Sequence, residues 1–409
     1  MSIKSTVHAP HILLPNKDVD MNKYAVIACD QYTSQKYYWD EVRDYIKNSP
    51  STFHMIFPEA YLGYVNEDEY IKTINSNIKK YLNDNVLQDI GECFVLVERT
   101  TSYGTRRLGL ILSVDLEDYS YEKGSKTPIR ASEATIVERI PPRLKIRKDA
   151  KIELPHILLL FDDKKRSIVE KLYQNRANLP KIYDFELNMN GGHIRGYKVS
   201  NIDEVIQQFN DLYKDNNNGL LFLVGDGNHS LATAKAHWEL IKKDLSMEER
   251  QNHPARYALV EANNLYDEGI IFEPIHRVLF NVDCSFVDEL KASCSGHEIE
   301  HDIYLPNNSV ETISLFKNAP LAYLNVQTFL DDYLSKHKEV TIDFVHDEDQ
   351  LKLVVNSNKN CVGITMPALT KDDLFDYIAE DRVLPRKSFS LGHANEKRYY
   401  LEAKRIINN

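Results

Sequence analysis

The sequence predicts an α/β protein, in the broad sense that includes α+β folds, with mixed sheets and flanking helices. Short apolar runs that end in polar or glycine turns predict strands, and segments with apolar residues at helical spacing lie between them. The chain has 409 residues, of which 43% are hydrophobic, and this is enough for two or three domains. We expect an N-terminal region at residues 1–150, a central region at 151–300 and a C-terminal region at 301–409.

Strands and helices are predicted to alternate along the whole chain. The link Tyr103-Gly104-Thr105 predicts a hairpin between two apolar runs. Ser34 and Thr370 are suitable N-caps for the helices that follow them. Strands are predicted at residues 24–29, 93–98, 107–115, 154–161, 257–260, 340–345 and 362–366, and helices at 34–47, 68–81, 163–175, 231–241 and 371–378.

The most informative segment runs from Gly219 to Ser230. An apolar run at 220–224 ends in Gly225-Asp-Gly-Asn-His229, and a helical pattern follows. This order predicts a strand, a tight glycine turn and a helix. Glycines allow close backbone approach to a ligand, and a helix start offers N–H donors, so the turn is suited to phosphate or carboxylate. The alternative is a structural turn in which Asp226 and Asn228 serve only turn geometry.

Positive charge is concentrated in residues 127–148 of an otherwise acidic chain. Arg143, Lys145 and Arg147 alternate with Leu144 and Ile146, so an extended segment would carry one cationic face. Arginine suits phosphate and carboxylate oxygens. The alternative is an edge strand whose charges prevent aggregation and form surface pairs.

Composition excludes several classes of protein. There are 50 basic and 61 acidic residues, a net charge of -11, which argues against nucleic-acid binding. No apolar run approaches the ~20 residues that span a bilayer, and the N-terminus lacks the apolar core of a signal peptide. The five cysteines have irregular spacing, so we expect free thiols and a cytoplasmic location.

The motif His297-Glu-Ile-Glu-His301 matches the zinc-protease pattern HExxH, which requires a helix. Gly296 precedes it, and Ile299, Ile303 and Leu305 recur with a period of two. We therefore expect a strand, on which the two histidines lie too far apart to share a metal ion.

Four separated stretches resemble the domain of unknown function 1015 family. Residues 225–234 are similar to its DGHHRYxTA pattern, and Arg130-Ala-Ser-Glu-Ala-Thr135 with Arg139 and Arg143 resembles its RxxExT…R…R stretch. Residues 253–260 with 273–277 resemble a third block, and Leu384-Pro-Arg-Lys-Ser388 resembles the closing PxKS motif. Together the four stretches cover most of the chain in the order found in the family.

The histidine turn of that family resembles the GxxR turn of the ParB and sulfiredoxin-like fold, which implies such an element around residues 220–245. One branch of that group phosphorylates free serine. The resemblance therefore implies a small-molecule kinase with a phosphoryl donor, a hydroxylated acceptor and Mg²⁺. Ser230 stands where the family has arginine, and Asn228 replaces its first histidine.

The residues expected in such a site share polar or glycine character. Asp226, His229 and Glu133 are the expected catalytic residues, with Asp226 also as the metal ligand. The expected phosphate-binding or substrate-binding residues are Gly225, Gly227, Asn228, Ser230, Arg130, Arg139, Arg143, Lys387 and Ser388.

Two other functions were weighed against the kinase. A nucleotide- or phosphometabolite-binding sensor needs no catalysis and is consistent with the missing arginine. A ParB-like role on DNA is disfavoured by the net charge. No membrane partner is expected, and the sequence leaves the oligomeric state, the phosphoryl donor and the acceptor open.

Overall fold

The computed structural model describes residues 5–135, 138, 140–216, 219–294, 298–380 and 382–408. Among these, residue contacts define two compact units. The first contains the described residues of 1–131, 135–270 and 393–409, and the second those of 132–134 and 271–392. The sequence-based edges near residues 150 and 300 stay predictions.

The prediction of a mixed α/β fold is confirmed. The strands are β1 (Val7–His8), β2 (His11–Pro15), β3 (Val26–Ile27), β4 (Leu87–Glu92), β5 (Phe94–Thr100), β6 (Arg106–Asp115), β7 (Tyr119–Ser120), β8 (Ile129–Ala131), β9 (Ile152–Glu153), β10 (Leu158–Phe161), β11 (Lys181–Leu187), β12 (Gly192–Val199), β13 (Phe222–Asp226), β14 (Tyr257–Asn264), β15 (Phe272–Pro274), β16 (His276–Phe280), β17 (Ile299–Leu305), β18 (Ser309–Leu315), β19 (Thr341–Val345), β20 (Cys361–Ile364), β21 (Phe389–Leu391), β22 (Tyr399–Tyr400) and β23 (Lys404–Arg405).

The helices lie between these strands along the chain. They are α1 (Met21–Tyr24), α2 (Lys36–Ile46), α3 (Glu67–Asn83), α4 (Ile140–Arg147), α5 (Val169–Gln174), α6 (Ile202–Asp215), α7 (Asn228–Ile241), α8 (Met247–Asn252), α9 (Phe286–Ser293), α10 (Ala319–Lys336), α11 (Glu348–Asn356) and α12 (Lys371–Ala379).

The first unit is built around a ten-stranded mixed sheet with the order β11-β12-β5-β6-β14-β10-β13-β8-β7, in which β1 also pairs with β6. The pairs β10–β14, β13–β8 and β7–β8 are parallel, and the other pairs are antiparallel. The predicted hairpin at residues 103–105 joins β5 to β6.

Both faces of this sheet are covered. Val95 and Val97 pack into one core cluster, whereas Phe94 and Leu96 pack into another. Successive residues of a strand point to opposite faces, so β5 contributes to two layers. This explains why residues 94–97 of β5 are a continuous apolar run rather than an alternating one.

The second unit contains a five-stranded sheet with the order β18-β17-β20-β16-β19. Val278, Tyr304 and Leu351 form its small core cluster together with neighbouring residues. Thr370 caps α12 as predicted, because its hydroxyl accepts the Asp373 N–H at 3.1 Å.

Several sequence predictions are corrected. Residues 24–29 form the end of α1 and the two-residue β3 rather than one strand. The basic stretch forms α4 rather than an extended segment, because Pro141 and Pro142 lie in the first turn, where a helix tolerates proline. Helix α5 begins only at Val169, because the Asp163 carboxylate accepts the Ser167 and Ile168 N–H groups ahead of it.

Other predictions hold. Residues 299–305 form β17, which supports the strand interpretation of the HExxH motif, although His297 lies outside the described residues. All five cysteines are free thiols, as expected. None of the helices in the described ranges is long and apolar enough to cross a bilayer.

The turn between β13 and α7 gives a stability prediction. Gly227 has φ +81°, and a Cβ there would lie 3.0 Å from the Ile157 Cα, whereas Gly104 has φ +82° with nothing within 4 Å. We expect Gly104→Ala to lower the free energy of unfolding by about 1–2 kcal/mol, because alanine disfavours a left-handed backbone. Gly227→Ala should lower the free energy of unfolding by ~1–3 kcal/mol more than Gly104→Ala, because its Cβ would crowd Ile157. Urea unfolding measures both, and equal costs would contradict the close packing at Ile157.

Candidate active site

Two strand ends bring Asp226 and His156 together in the first unit. Strands β10 and β13 are antiparallel, with Leu158 opposite Asp226. The last residue of β13 therefore lies beside the segment that leads into β10, and His156 is in that segment. Gly227 follows at once in the left-handed region and starts α7. A glycine is required there because its backbone is left-handed and Ile157 lies close to it.

A second, two-stranded pairing brings Asp30 and Lys397 to the same place. Strands β3 and β22 are antiparallel, with Ile27 opposite Tyr399. The Ala28 N–H donates to the Arg398 carbonyl at 2.9 Å and extends the pairing toward Asp30 and Lys397.

These four side chains form what we call the charge centre: Asp30, His156, Asp226 and Lys397. Lys397 Nζ lies 3.1 Å from Asp226 Oδ2, and His156 Nε2 lies 3.5 Å from Asp30 Oδ2. The Ser230 hydroxyl, in the first turn of α7, lies 3.0 Å from His156 Nε2. Two carboxylates, two cationic groups and a hydroxyl thus meet at the start of a 14-residue helix.

Electrostatics favour the charged forms of Asp30 and His156. Burial alone raises the Asp30 pKa, but the charge and hydrogen bond of His156, a hydrogen bond from Gln31 and the charge of Lys397 lower it below the ordinary value. Burial lowers the His156 pKa, yet Asp30, with help from Asp226, raises it above its ordinary value. Each member of the pair thus stabilises the charged form of the other.

Tyr400 orients the imidazole from the other side. Its hydroxyl lies 2.7 Å from His156 Nδ1, accepts the Cys29 N–H at 3.2 Å and donates to the Cys29 sulfur at 3.1 Å. This pattern leaves the Tyr400 oxygen to accept from His156 Nδ1–H. Burial, followed by the nearby charge of Asp30, raises the pKa of the Cys29 thiol, so Cys29 stays protonated and is a poor nucleophile.

The buried side chain of Arg99 holds the loop that carries Lys397. The Arg99 guanidinium donates to the carbonyls of Gly191, Asn395, Glu396 and Lys397. Burial lowers the Arg99 pKa to about 10. Four carbonyls on two loops are satisfied by one side chain, so the backbone around Lys397 is held firmly.

The predicted turn residues lie where the sequence placed them. Gly225 is buried near the end of β13, and Asn228, His229 and Ser230 form the first turn of α7. The Asp226 Oδ1 accepts the Gly227 N–H at 2.9 Å, so its other oxygen faces Lys397. The His229 carbonyl accepts the Thr233 hydroxyl. Catalytic and phosphate-binding roles for these residues stay proposals.

Arg130 and Arg143 contact groups outside the charge centre. Arg130 is buried on β8, where its Nε donates to the Thr127 carbonyl at 2.9 Å, and its guanidinium lies near Gly219, at the opposite end of β13 from Asp226. Arg143 forms an ion pair with Glu59. Arg139 lies outside the described residues.

Glu133, Lys387 and Ser388 meet in the second unit. The Glu133 carboxylate accepts the N–H groups of Lys387 at 3.0 Å, Ser388 at 2.9 Å and Phe389 at 3.4 Å. Lys387 has φ +57°, which helps to turn these N–H groups toward one acceptor. The carboxylate of Glu133 therefore organises this turn, and its catalytic role stays a prediction.

The site was tested for Mg²⁺. In the described residues no three His, Cys, Asp or Glu side chains are arranged to hold a metal ion by themselves. Mg²⁺ is commonly bound by one or two carboxylates together with substrate phosphates, and Asp226 and Asp30 fit that pattern. Asp226, the ligand expected from the sequence, stays the proposed one.

Three residues of the site were missed by sequence reasoning: His156, Lys397 and Tyr400. His156 follows a proline just before an apolar run, and Lys397 and Tyr400 belong to the dense polar and aromatic segment Lys397-Arg-Tyr-Tyr400. These signals are weak because neither segment is near residue 226 in sequence. Asp30 directly follows the strand predicted at residues 24–29, and the end of a strand is a common place for polar site residues.

The comparisons with known proteins are as follows. A family model described as "Protein of unknown function (DUF1015)" matches residues 13–403. A conserved hypothetical protein from Pyrococcus furiosus is 11% identical, with a TM-score of 0.37 over 73% of this chain and 95% of its own. A free serine kinase in complex with AMP is 10% identical, with a TM-score of 0.37 over 73% of this chain and 91% of its own. A free serine kinase variant in complex with ADP is 11% identical, with a TM-score of 0.38 over 74% of this chain and 94% of its own. No curated protein matches the sequence significantly.

The Asp30–His156 pair predicts a pH dependence of stability. The His156 pKa is raised in the folded protein. Its contribution to folding stability is therefore complete below the pKa of the unfolded state, about 6.5, and is lost as pH rises through the pKa of the folded state. The Asp30 pKa is lowered in the folded protein. Its contribution to folding stability is therefore complete above about pH 4, the pKa of the unfolded state, and is lost as pH falls through the pKa of the folded state. Asp30→Asn should therefore destabilise the protein most between about pH 4 and 6.5.

Urea unfolding at pH 5.5 and 8.5 measures this difference, and NMR titration of His156 measures its cause. We expect a lower His156 pKa in Asp30→Asn. Asp89→Asn removes an exposed pair with His11 and is the matched control, with little effect at either pH. An unchanged His156 pKa in Asp30→Asn would contradict the pairing.

Proposed function

This chain belongs to the DUF1015 family of proteins of unknown function, and from that premise we propose that it is a small-molecule kinase. The proposed reaction moves a phosphoryl group from a nucleotide or pyrophosphate to the hydroxyl of a small metabolite such as serine. The observation that supports it is the charge centre at the start of α7, where two cationic and two anionic side chains meet.

The cationic groups are suited to the phosphoryl donor. Lys397 and the His156 imidazolium supply positive charge, and the N-terminus of α7 adds the positive end of a helix dipole. Phosphoryl transfer depends mainly on positioning and charge neutralisation rather than on covalent chemistry. Lys397 and His156 thus take the place of the arginine that the family resemblance puts at Ser230.

The carboxylates divide the remaining tasks. The lowered pKa of Asp30 makes it a weak base, so it suits orientation of an acceptor hydroxyl. Asp226 lies beside the helix start, where it would hold Mg²⁺ or take the acceptor proton. Bound Mg²⁺ would neutralise phosphate charge. His229 is proposed to assist at the turn, as expected from the sequence.

A sensor is the second candidate, and one observation favours it. Each charged group of the centre already faces an opposite charge, as in Asp226–Lys397 and Asp30–His156. On this proposal a phosphometabolite replaces a carboxylate as the partner of Lys397 or His156, and no chemical step follows.

We also propose a cytoplasmic location for either function. The five thiols are free, and Cys284 is exposed. Thiols of this kind persist where the compartment is reducing.

A single experiment separates the two candidates. The protein is incubated with Mg²⁺, with ATP, ADP or pyrophosphate as donor, and with serine, threonine or glycerate as acceptor. The kinase predicts a phosphorylated acceptor in the mass spectrum. A rise in melting temperature with a donor, but no product from any pair, would support the sensor instead.

Asp226→Asn tests the proposed catalytic carboxylate. The substitution keeps the size of the side chain and removes its charge, so we expect turnover to fall by ~10²-fold or more if Asp226 is the acid–base group. The melting temperature should fall modestly, because Lys397 loses the opposite charge of Asp226. Asp211→Asn is the control, because its exposed carboxylate only pairs with Lys214 and Gln207 on α6. Lower stability with unchanged turnover in Asp226→Asn would make the turn purely structural.

A further inference from the structure

The first unit contains a cavity between α2 and α3 that is lined by apolar and polar side chains. Its volume is about 840 Å³, within the range of small-molecule sites. Its walls come from α2, α3 and two short 3₁₀ turns, Thr52–Met55 and Glu59–Tyr61. Neither the predicted site residues nor the charge centre contributes to it.

One wall of this cavity is aromatic. Phe53, Tyr61, Tyr64 and Tyr70 line it together with aliphatic side chains. Tyr61 and Tyr70 have ring centroids 6.2 Å apart at 69°, an edge-to-face arrangement that fixes both rings. Tyr64 is 74% exposed, so its ring is accessible to a ligand in the cavity. These rings provide flat surfaces for a planar group.

The other wall is cationic. Lys36, Arg43 and Lys47 follow one another along α2 and line the cavity, and Asp44 is the one acidic residue among the lining residues. Lys36 and Arg43 share the Asp40 carboxylate at 2.6 and 3.0 Å. No ion pair of Lys47 occurs among the described residues, so the cavity carries excess positive charge at its mouth.

The backbone of Lys47 is strained. Its φ is 53° and its ψ is -120°, a combination that non-glycine residues rarely adopt. The residue ends α2, with its N–H donating to the Arg43 carbonyl. Such strain is often found at ligand sites, where it fixes the direction of a side chain.

Carboxamides complete the lining. Asn48 and Asn77 both face the cavity, and Asn77 Nδ2 donates to the His54 carbonyl at 2.9 Å, which fixes its orientation. A carboxamide has two N–H donors and an acceptor oxygen, so Asn77 has further hydrogen-bonding capacity. This chemistry matches the polar edge of a heterocyclic base better than a simple phenyl ring.

We propose that this cavity binds a nucleoside phosphate. The base stacks against the tyrosine wall, its edge meets the carboxamides, and the phosphate meets Lys47 and Arg43. Aromatic stacking and charge-assisted bonds from arginine are the usual means of holding these two parts.

This site is distinct from the charge centre, and its existence does not depend on the proposed kinase. The turn Glu59–Tyr61 separates them: Tyr61 lines the cavity, while the Glu59 N–H donates to the Cys29 carbonyl at 2.8 Å, next to Asp30.

Binding is tested by calorimetry with AMP as the probe, and with adenosine, inorganic phosphate and phenyl phosphate as comparison ligands. We expect AMP to bind more tightly than any of the other three. The double variant Arg43→Gln/Lys47→Gln should weaken AMP binding by ~10-fold or more, because it removes charge-assisted bonds to phosphate. Lys79→Gln, at an exposed position of α3 outside the cavity lining, should leave AMP binding unchanged.

Lys397→Met distinguishes this site from the charge centre. We expect it to leave AMP binding to the cavity intact, whatever it does to phosphoryl transfer. AMP binding that is lost in Lys397→Met and retained in Arg43→Gln/Lys47→Gln would overturn the inference. So would the absence of AMP binding at millimolar concentration, or equal affinity for phosphate and AMP.

Discussion

One buried arginine connects the segments on which the charge centre depends. The Arg398 side chain is 3% exposed and bridges Glu261 on β14 to Glu402, while its Nε donates to the Pro155 carbonyl at 3.1 Å. A buried guanidinium is costly when it is unpaired, and these contacts pair that of Arg398 with two carboxylates and a carbonyl. Arg398 adjoins Lys397, and Pro155 adjoins His156. The same side chain therefore fixes the two cationic groups of the centre relative to the large sheet.

The geometry of the sheet supplies the anionic half. Asp226 is the last residue of β13, and Asp30 lies shortly after the end of β3. Both carboxylates therefore lie at the end of a strand. Each is neutralised by a cation from a distant segment: Lys397 for Asp226 and His156 for Asp30. Partly buried charges are stabilised by such pairing and are costly without it. The centre is therefore organised before any ligand arrives, which is the condition for efficient positioning of reactants.

Sequence reasoning found the part of this arrangement that is local. The strand, glycine turn and helix around Asp226 are encoded in the continuous segment 220–241, and hydrophobic spacing was enough to place them. His156, Lys397 and Tyr400 were missed because they reach the site through strand pairing. Their side-chain contacts there join residues 74 to 371 positions apart in the sequence. The basic stretch was misjudged for a different reason. Alternation of Arg143, Lys145 and Arg147 fits a strand, but prolines start a helix there, and all three side chains pair with carboxylates.

The central claim is that Lys397 and its neighbours form a site for a phosphorylated ligand. Calorimetric binding of pyrophosphate with Mg²⁺ to the wild type and to Lys397→Met tests it most directly, with Lys243→Met, an exposed lysine, as the control. We predict at least ~10-fold weaker binding for Lys397→Met, since a lysine–phosphate contact is charge-assisted, and no change for the control. Equal affinity in all three proteins would contradict the claim.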